Sequence, residues 1–142
     1  MITLHPAAPE DAPVMAAILS DWIDETPWMP RLHTLEEDRA FCLRLVPKTI
    51  VARQAGQMVG FLARREEEVL CFYLAASARG QGVGAVLLAE AQRARPRLAL
   101  WTFAENIGAR RFYARNGFVE TGGTEGDNDE GLPDIRMEWS RA

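Results

Sequence analysis

The sequence predicts one α/β domain folded around a mixed sheet, and three observations carry that prediction. Segments patterned as strands and helices follow one another in the order β-α-α-β-β-β-α-β-α-β-β, with no internal repeat and no linker. The chain of 142 residues is long enough for one core and short for two. Near its middle an apolar run that reads as a buried strand, "VLCFYLAA" (69–76), passes through "SARGQGVG" into a helical pattern.

Each element has a local reason. "ITLH" (2–5) reads as a short strand, and Pro9, Glu10 and Asp11 open a helix whose apolar positions Val14, Ile18 and Trp22 fall four apart. Thr34 with Glu37 three residues later has capping-box spacing and starts a second helix, which Pro47 stops. Between the two, "DETPWMPRLH" (24–33) is too rich in proline to be helical and forms a long aromatic loop. "TIVARQ" and "QMVGFLARR" flank a turn at Ala55-Gly56 and make a hairpin; "EEE" turns the chain into the buried strand 69–76. The helix after the glycines runs to Arg95, before Pro96, and "RLALWTFA" (97–104) is a second buried strand. A helix begins at Ile107 and is capped at Asn116-Gly117. "FVET" and "DIRMEW" are the last strands, on either side of the acidic loop "GGTEGDNDEGLPD".

Composition narrows the function classes. With 48% apolar and 25% charged residues the chain is too apolar to be disordered. No apolar run reaches the ~18–20 residues that span a bilayer, and "MITLHPAAPEDAP" lacks the basic start and apolar centre of a signal peptide. A cytoplasmic protein with no membrane contact is expected. Cys42 and Cys71 lie within apolar stretches and read as buried thiols, and His5 and His33 have no partners at ligand spacing, so no metal is assigned. Seven arginines against two glutamates give residues 79–115 a charge of +5, leaving −9 on the rest of a chain whose formal total is −4. An acidic whole argues against nucleic-acid binding, while the basic third suits a small polyanion.

The glycine loop is where that anion fits. Gly80, Gly82 and Gly84 lead into a helix carrying Val83, Val86, Leu87 and Glu90 at three-to-four spacing. A helix N-terminus leaves unpaired N–H groups and a partial positive charge, and bare glycines let a phosphate approach the backbone. Arg79 adds a charged fork. A P-loop needs Lys-Ser/Thr after its last glycine, and Gly84-Ala85-Val86 has neither. The dinucleotide fingerprint is met by Gly80, Gly82 and Ala85, with Glu105 near the end of the next strand, but the remaining chain is too short for the second half of that fold.

The same loop resembles motif A of the GNAT superfamily of acyl-CoA-dependent N-acetyltransferases, Q/R-x-x-G-x-G/A, through Arg79, Gly80, Gln81, Gly82, Val83 and Gly84. Downstream, "NIGARRFYARNGF" (106–118) is similar to the family's N-x-x-A-x-x-x-Y-x-x-x-G-F at Asn106, Ala109, Tyr113, Gly117 and Phe118. The resemblance implies a mostly antiparallel sheet with helices on both faces and two splayed central strands, 69–75 and 97–104. It places the pantetheine arm of acetyl-CoA between those strands and its pyrophosphate on the N–H groups of Gln81 to Gly84. Arg110 or Arg111 would meet the 3′-phosphate. Where the family commonly has Pro before the loop, this chain has Ala76 and Ser77.

Carried over residue by residue, the resemblance implies an oxyanion donor in the Leu74 N–H and a general acid in Tyr113. An alternative for Tyr113 is a core aromatic beside Phe112; neighbouring helix positions differ by about 100°, so only one of the two points into a shared core. A base or a water chain is expected, since a primary amine is mostly protonated at neutral pH; Glu66, Glu67, Glu68, Asp24 and Glu25 are the candidate bases, and the sequence does not choose among them. Trp22, Glu25 and Trp28 are the candidate acceptor contacts, aromatic faces with a carboxylate that suit a cationic amine, the alternative being core tryptophans beside solvated acids; a second copy of the chain is a further expected partner. Two other readings of these residues stay open: a module that binds acyl-CoA without turnover and, more distantly, a dinucleotide-dependent oxidoreductase.

Overall fold

A computed structural model describes residues 1–142. The strands are β1 (Ile2–Pro6), β2 (Thr49–Gln54), β3 (Gln57–Arg65), β4 (Glu68–Leu74), β5 (Arg97–Phe103), β6 (Val119–Thr124) and β7 (Asp134–Ser140). The helices are α1 (Ala12–Asp24), α2 (Leu35–Leu45), α3 (Val83–Ala94) and α4 (Ile107–Arg115). All seven strands form one sheet in the order β1-β2-β3-β4-β5-β7-β6. Every neighbouring pair is antiparallel except β4 with β5.

Strand alternation sends side chains to two faces, and each face has its own core. On one, Val51, Phe61, Ala63 and Cys71 meet Met15 and Ile18 of α1 and Cys42 and Leu45 of α2. On the other, Ala52, Leu62, Val69, Leu98, Leu100 and Met137 meet Leu87 and Leu88 of α3 and Tyr113 of α4. The adjacent pairs Val51/Ala52 and Phe61/Leu62 divide between the two cores, so a one-residue slip in this hairpin would exchange both sets. No helix is long and apolar enough to cross a membrane.

The element order matches the sequence reading, with one correction of detail. The buried stripe of α1 is centred on Met15 and Leu19, which leaves Val14 outside it and 44% exposed. Asp11 opens the helix as expected and does more: it is buried, accepts from the Ala8 N–H (2.8 Å) and pairs with Arg53 on β2 (2.6 Å), tying the turn before α1 to the sheet.

The parallel pair controls the shape. β4 and β5 are in register at one position only, Glu68 opposite Ala99, supported by Ala99 N–H to Glu67 O at 2.8 Å. Beyond that joint the strands part, β4 staying with β3 and β5 with β7. Arg136 on β7 reaches across β5 to Glu68 with two hydrogen bonds, 2.7 and 2.8 Å, and its guanidinium lies over Trp101 on β5 (5.2 Å). This bidentate clamp fixes the closed end of the gap.

The buried thiols and phenols set the alkaline limit of the fold. Burial pushes Cys42 from its ordinary 9.0 up to about 11, Cys71 higher still, and the phenols of Tyr73 and Tyr113 well above 10.0. Their stabilisation is complete below the unfolded values and is lost as pH rises towards the folded ones. Urea unfolding should therefore show stability falling from about pH 9 upward, by at most about 1.4 kcal/mol per pH unit for each thiol. Cys71→Ala should flatten that slope; an unchanged slope would contradict the assignment.

Candidate active site

The gap opens towards the C-terminal ends of β4 and β5, where a cavity of about 510 Å³ is lined by Phe72, Tyr73, Leu74, Thr102, Phe103 and Asn106 among others. Ala75 N–H donates to Val59 O at 2.9 Å, so residue 75 faces β3. Alternation along the strand then turns the N–H and C=O of Leu74 away from β3 and towards the gap. The freed carbonyl is met by the Arg79 guanidinium at 3.5 Å.

The glycine loop stands at the mouth. Gly82 is the residue before α3 and has φ +84°, a conformation L side chains rarely adopt; a Cβ there would meet no atom within 4 Å, so its outer face is open. Gly84 answers a different need: a Cβ would come 3.2 Å from Phe112 and 3.4 Å from Leu74, so its absence lets α3 approach both. Gln81 braces the loop by donating to Ser77 O at 2.7 Å. Val83 contributes only backbone, because its side chain is fully buried in the core.

Arg79 is not free in this structure. It pairs with Glu25, just beyond the end of α1, so two residues expected to hold different ligands hold each other. Asn106 lines the cavity and also caps α4, its Oδ1 accepting from Ala109 N–H at 3.1 Å; the sequence reading missed that second role, although Asn before a helix signals it. Arg110 is turned away to Glu120, which it meets at 2.8 and 3.0 Å, while also donating to Ala104 O. Arg111 is exposed on α4 and outside the cavity.

Tyr113 and Phe112 both line the cavity; Tyr113 is the buried member of the core and Phe112, half-buried, packs against it, so the core aromatic is the residue expected to serve as acid. Their ring centroids are 5.4 Å apart, and Phe72 touches both at 6.1 and 6.3 Å, so the aromatic cluster spans the angle between neighbouring helix positions. Burial holds the Tyr113 phenol protonated far above neutral pH.

A second cavity of about 480 Å³ lies between α1, α2 and β4 and shares Trp22, Leu70, Cys71, Tyr73 and Phe103 with the first. Trp22 packs on Tyr73 at 5.3 Å, and Trp28 stands behind it, edge-on to Trp22 (5.9 Å) and Phe103 (5.8 Å), lining neither cavity. The expected bases are elsewhere. Glu66 pairs with Arg95, Glu68 with Arg136, Asp24 with Arg31 and Glu25 with Arg79, while Glu67 sits in the exposed turn before β4. The carboxylates at the second cavity are Glu37, Asp38, Asp129 and Glu130. Of these, Glu37 is engaged in the capping box with Thr34, whose backbone hydrogen bond lowers its pKa.

A sheet with one parallel pair opened at its end, and a glycine-led helix at the opening, is the architecture that the family resemblance implies. The comparison with family descriptions agrees: residues 43–141 match the acetyltransferase (GNAT) domain, and the chain belongs to that family. Among solved structures, apo YjaB from Escherichia coli is similar at 25% identity and TM-score 0.82, covering 100% of this chain and 99% of its own. The ribosomal-protein-alanine N-acetyltransferase of Brucella melitensis aligns at 25% identity and TM-score 0.76, over 97% and 99% of the two chains. YncA from Salmonella typhimurium, solved with acetyl-CoA, aligns at 16% identity and TM-score 0.76, over 100% and 95%. Curated proteins give no match.

Asp129 and Glu130 reach the second cavity because their loop is pinned. Asp134 Oδ1 accepts from Thr124 N–H (3.0 Å) and Oγ1 (2.6 Å), its Oδ2 accepts from Asn128 Nδ2 (3.0 Å), and Asn128 also donates to Leu132 O (2.8 Å). Asp134→Ala should cost about 2 kcal/mol and speed hydrogen exchange at Thr124, Gly126 and Leu132 without changing α3. Unaltered exchange in that loop would refute the pin.

Proposed function

We propose that the protein transfers the acetyl group of acetyl-CoA to a primary amine. The observation that carries this is the Leu74 N–H turned into the β4/β5 gap, beside a glycine loop whose open face adjoins the N-terminus of α3. The family match supports acetyl transfer; the acetyl-CoA bound to YncA and the amine acceptor in the Brucella protein's name support the two substrates. In this reading the pyrophosphate rests on the N–H groups from Gln81 to Gly84, and the pantetheine arm fills the cavity along Leu74 and Asn106. Arg79 exchanges Glu25 for phosphate as the donor enters. Arg111 is the exposed helix arginine left for the 3′-phosphate. The protein would work where acetyl-CoA is held, in the cytoplasm.

The acceptor enters through the second cavity, past Trp22 and Tyr73. Freeing its lone pair at neutral pH costs about 4–5 kcal/mol for an amine of pKa ~10. No carboxylate lines the first cavity, so the proton leaves through water to the acidic second one, where Glu130 is close enough to raise the Tyr73 phenol further. As nitrogen attacks, charge grows on the thioester oxygen, and the Leu74 N–H is the donor placed to meet it. Tyr113 serves the departing sulfur. Its phenol is a weaker acid than a CoA thiol of pKa ~8.5, so it stabilises the thiolate by a hydrogen bond and water supplies the proton.

The reading is tested by thiol release from acetyl-CoA across a panel of amines. Turnover with at least one amine is expected; tight CoA binding with none would make the protein a non-catalytic acyl-CoA binder. Tyr113→Phe should keep acetyl-CoA affinity and slow single-turnover acetylation about 10- to 100-fold. An undiminished chemical step would leave Tyr113 as core alone. Gly82→Asn and Gly82→Asp are matched in shape and both tolerate φ > 0, so their difference reads charge at the phosphate position. The aspartate should bind acetyl-CoA about tenfold or more weakly than the asparagine by calorimetry, and equal affinities would move the phosphate elsewhere.

A further inference from the structure

We infer that Asp38 seats a positively charged group of the acceptor, so that the acceptor carries a cation separated from its reacting amine by an apolar stretch; this rests on the acetyl-transfer reading above. Asp38 lies in the first turn of α2, its side chain is only 6% exposed, and its Oδ2 is buried with no hydrogen-bond partner. A buried carboxylate oxygen without a hydrogen-bond partner is costly and rare in native folds, so its presence calls for a reason. The nearest cation does not. Arg31 Nη1 stands 3.8 Å from Oδ2, past hydrogen-bond reach, while its Nη2 is spent on Asp24 (2.6 Å) and on the carbonyl and hydroxyl of Ser20 (3.0 and 2.9 Å).

The cavity beside Asp38 favours a cation. Glu37, Asp38, Asp129 and Glu130 face Arg44 and His33, so carboxylates predominate. Asp38 is absent from the lining of the first cavity, which the second meets at Trp22, Leu70, Cys71, Tyr73 and Phe103. It therefore sits away from the point of transfer. Leu19, Ile23 and Phe41 line the same cavity and suit an alkyl segment rather than a polar one. An ammonium or guanidinium at Asp38, methylenes along these side chains and a primary amine at Tyr73 describe one molecule with two basic groups, a diamine or an aminoalkyl guanidine.

The test compares n-alkyl primary amines with α,ω-diamines of equal carbon number in the thiol-release assay. At some chain length the diamine should exceed the monoamine in kcat/KM by about tenfold or more, and in Asp38→Asn that ratio should fall to about one, carried by KM. The variant should unfold at no lower temperature, because it removes a buried charge that lacks a hydrogen-bond partner. Absence of a diamine preference at every length, or a preference that Asp38→Asn leaves intact, would overturn the inference. A lowered melting temperature with an intact preference would return Asp38 to a structural partner of Arg31. If no amine is acetylated, the transfer reading falls by itself. Calorimetry of a diamine with the acetyl-CoA-loaded protein then decides the seat: binding to wild type and not to Asp38→Asn supports it, and no difference removes it.

Discussion

The separation of β4 from β5 is the constraint on which the rest depends. A parallel pair buried in the middle of a sheet ordinarily satisfies every backbone group, and here the ladder stops after Glu68 and Ala99. Past that point the inward groups of β4, Leu74 among them, have no strand to bond. The fold holds this opening by closing it firmly at the other end, where Arg136 binds Glu68 with both nitrogens and covers Trp101. On the far sides β3 and β7 pair with β4 and β5 along their length. The unpaired backbone is thereby kept available to a ligand.

Two cavities meet at that opening, and they differ in charge. One is lined by the glycine loop, the α4 cap and an aromatic wall, with Arg79 at its edge. The other is lined by carboxylates from α2 and from the loop before β7. The basic and acidic parts of the chain, opposed in sequence, are thus brought to opposite sides of β4. A polyanionic donor and a cationic acceptor would be drawn from different directions to Tyr73 and Leu74. The Arg79–Glu25 pair gives the one arginine of the first cavity a partner before either substrate binds.

Much of this was legible in the sequence because it is local. The capping box at Thr34, the hairpin turn at Ala55-Gly56 and the glycines before α3 each fix backbone geometry within a few residues, and the structure has them where expected. What escaped depends on distant neighbours. The glutamates before β4 read as candidate bases, yet Glu68 belongs to Arg136, 68 residues away, and Glu66 to Arg95. Asp38 carries no signal in the sequence, because its burial is set by the tertiary fold around α2. Glu130 gave no signal beyond an acidic run, because its position is set by Asp134 and Asn128. The helical-wheel argument separated Tyr113 from Phe112 without fixing which is buried; it is Tyr113, and Phe72 reaches both rings.

The central claim is that acetyl-CoA lies in the β4/β5 gap with its phosphates on the glycine loop, and amide NMR reads it most directly. Titrating ¹⁵N-labelled protein with acetyl-CoA should give saturable shifts at Leu74 and from Gln81 to Gly84. The loss of the acetyl group, tested with CoA alone, should spare the glycine-loop shifts and reduce the one at Leu74. Shifts confined to other surfaces, or a Leu74 amide that ignores the acetyl group, would contradict the account.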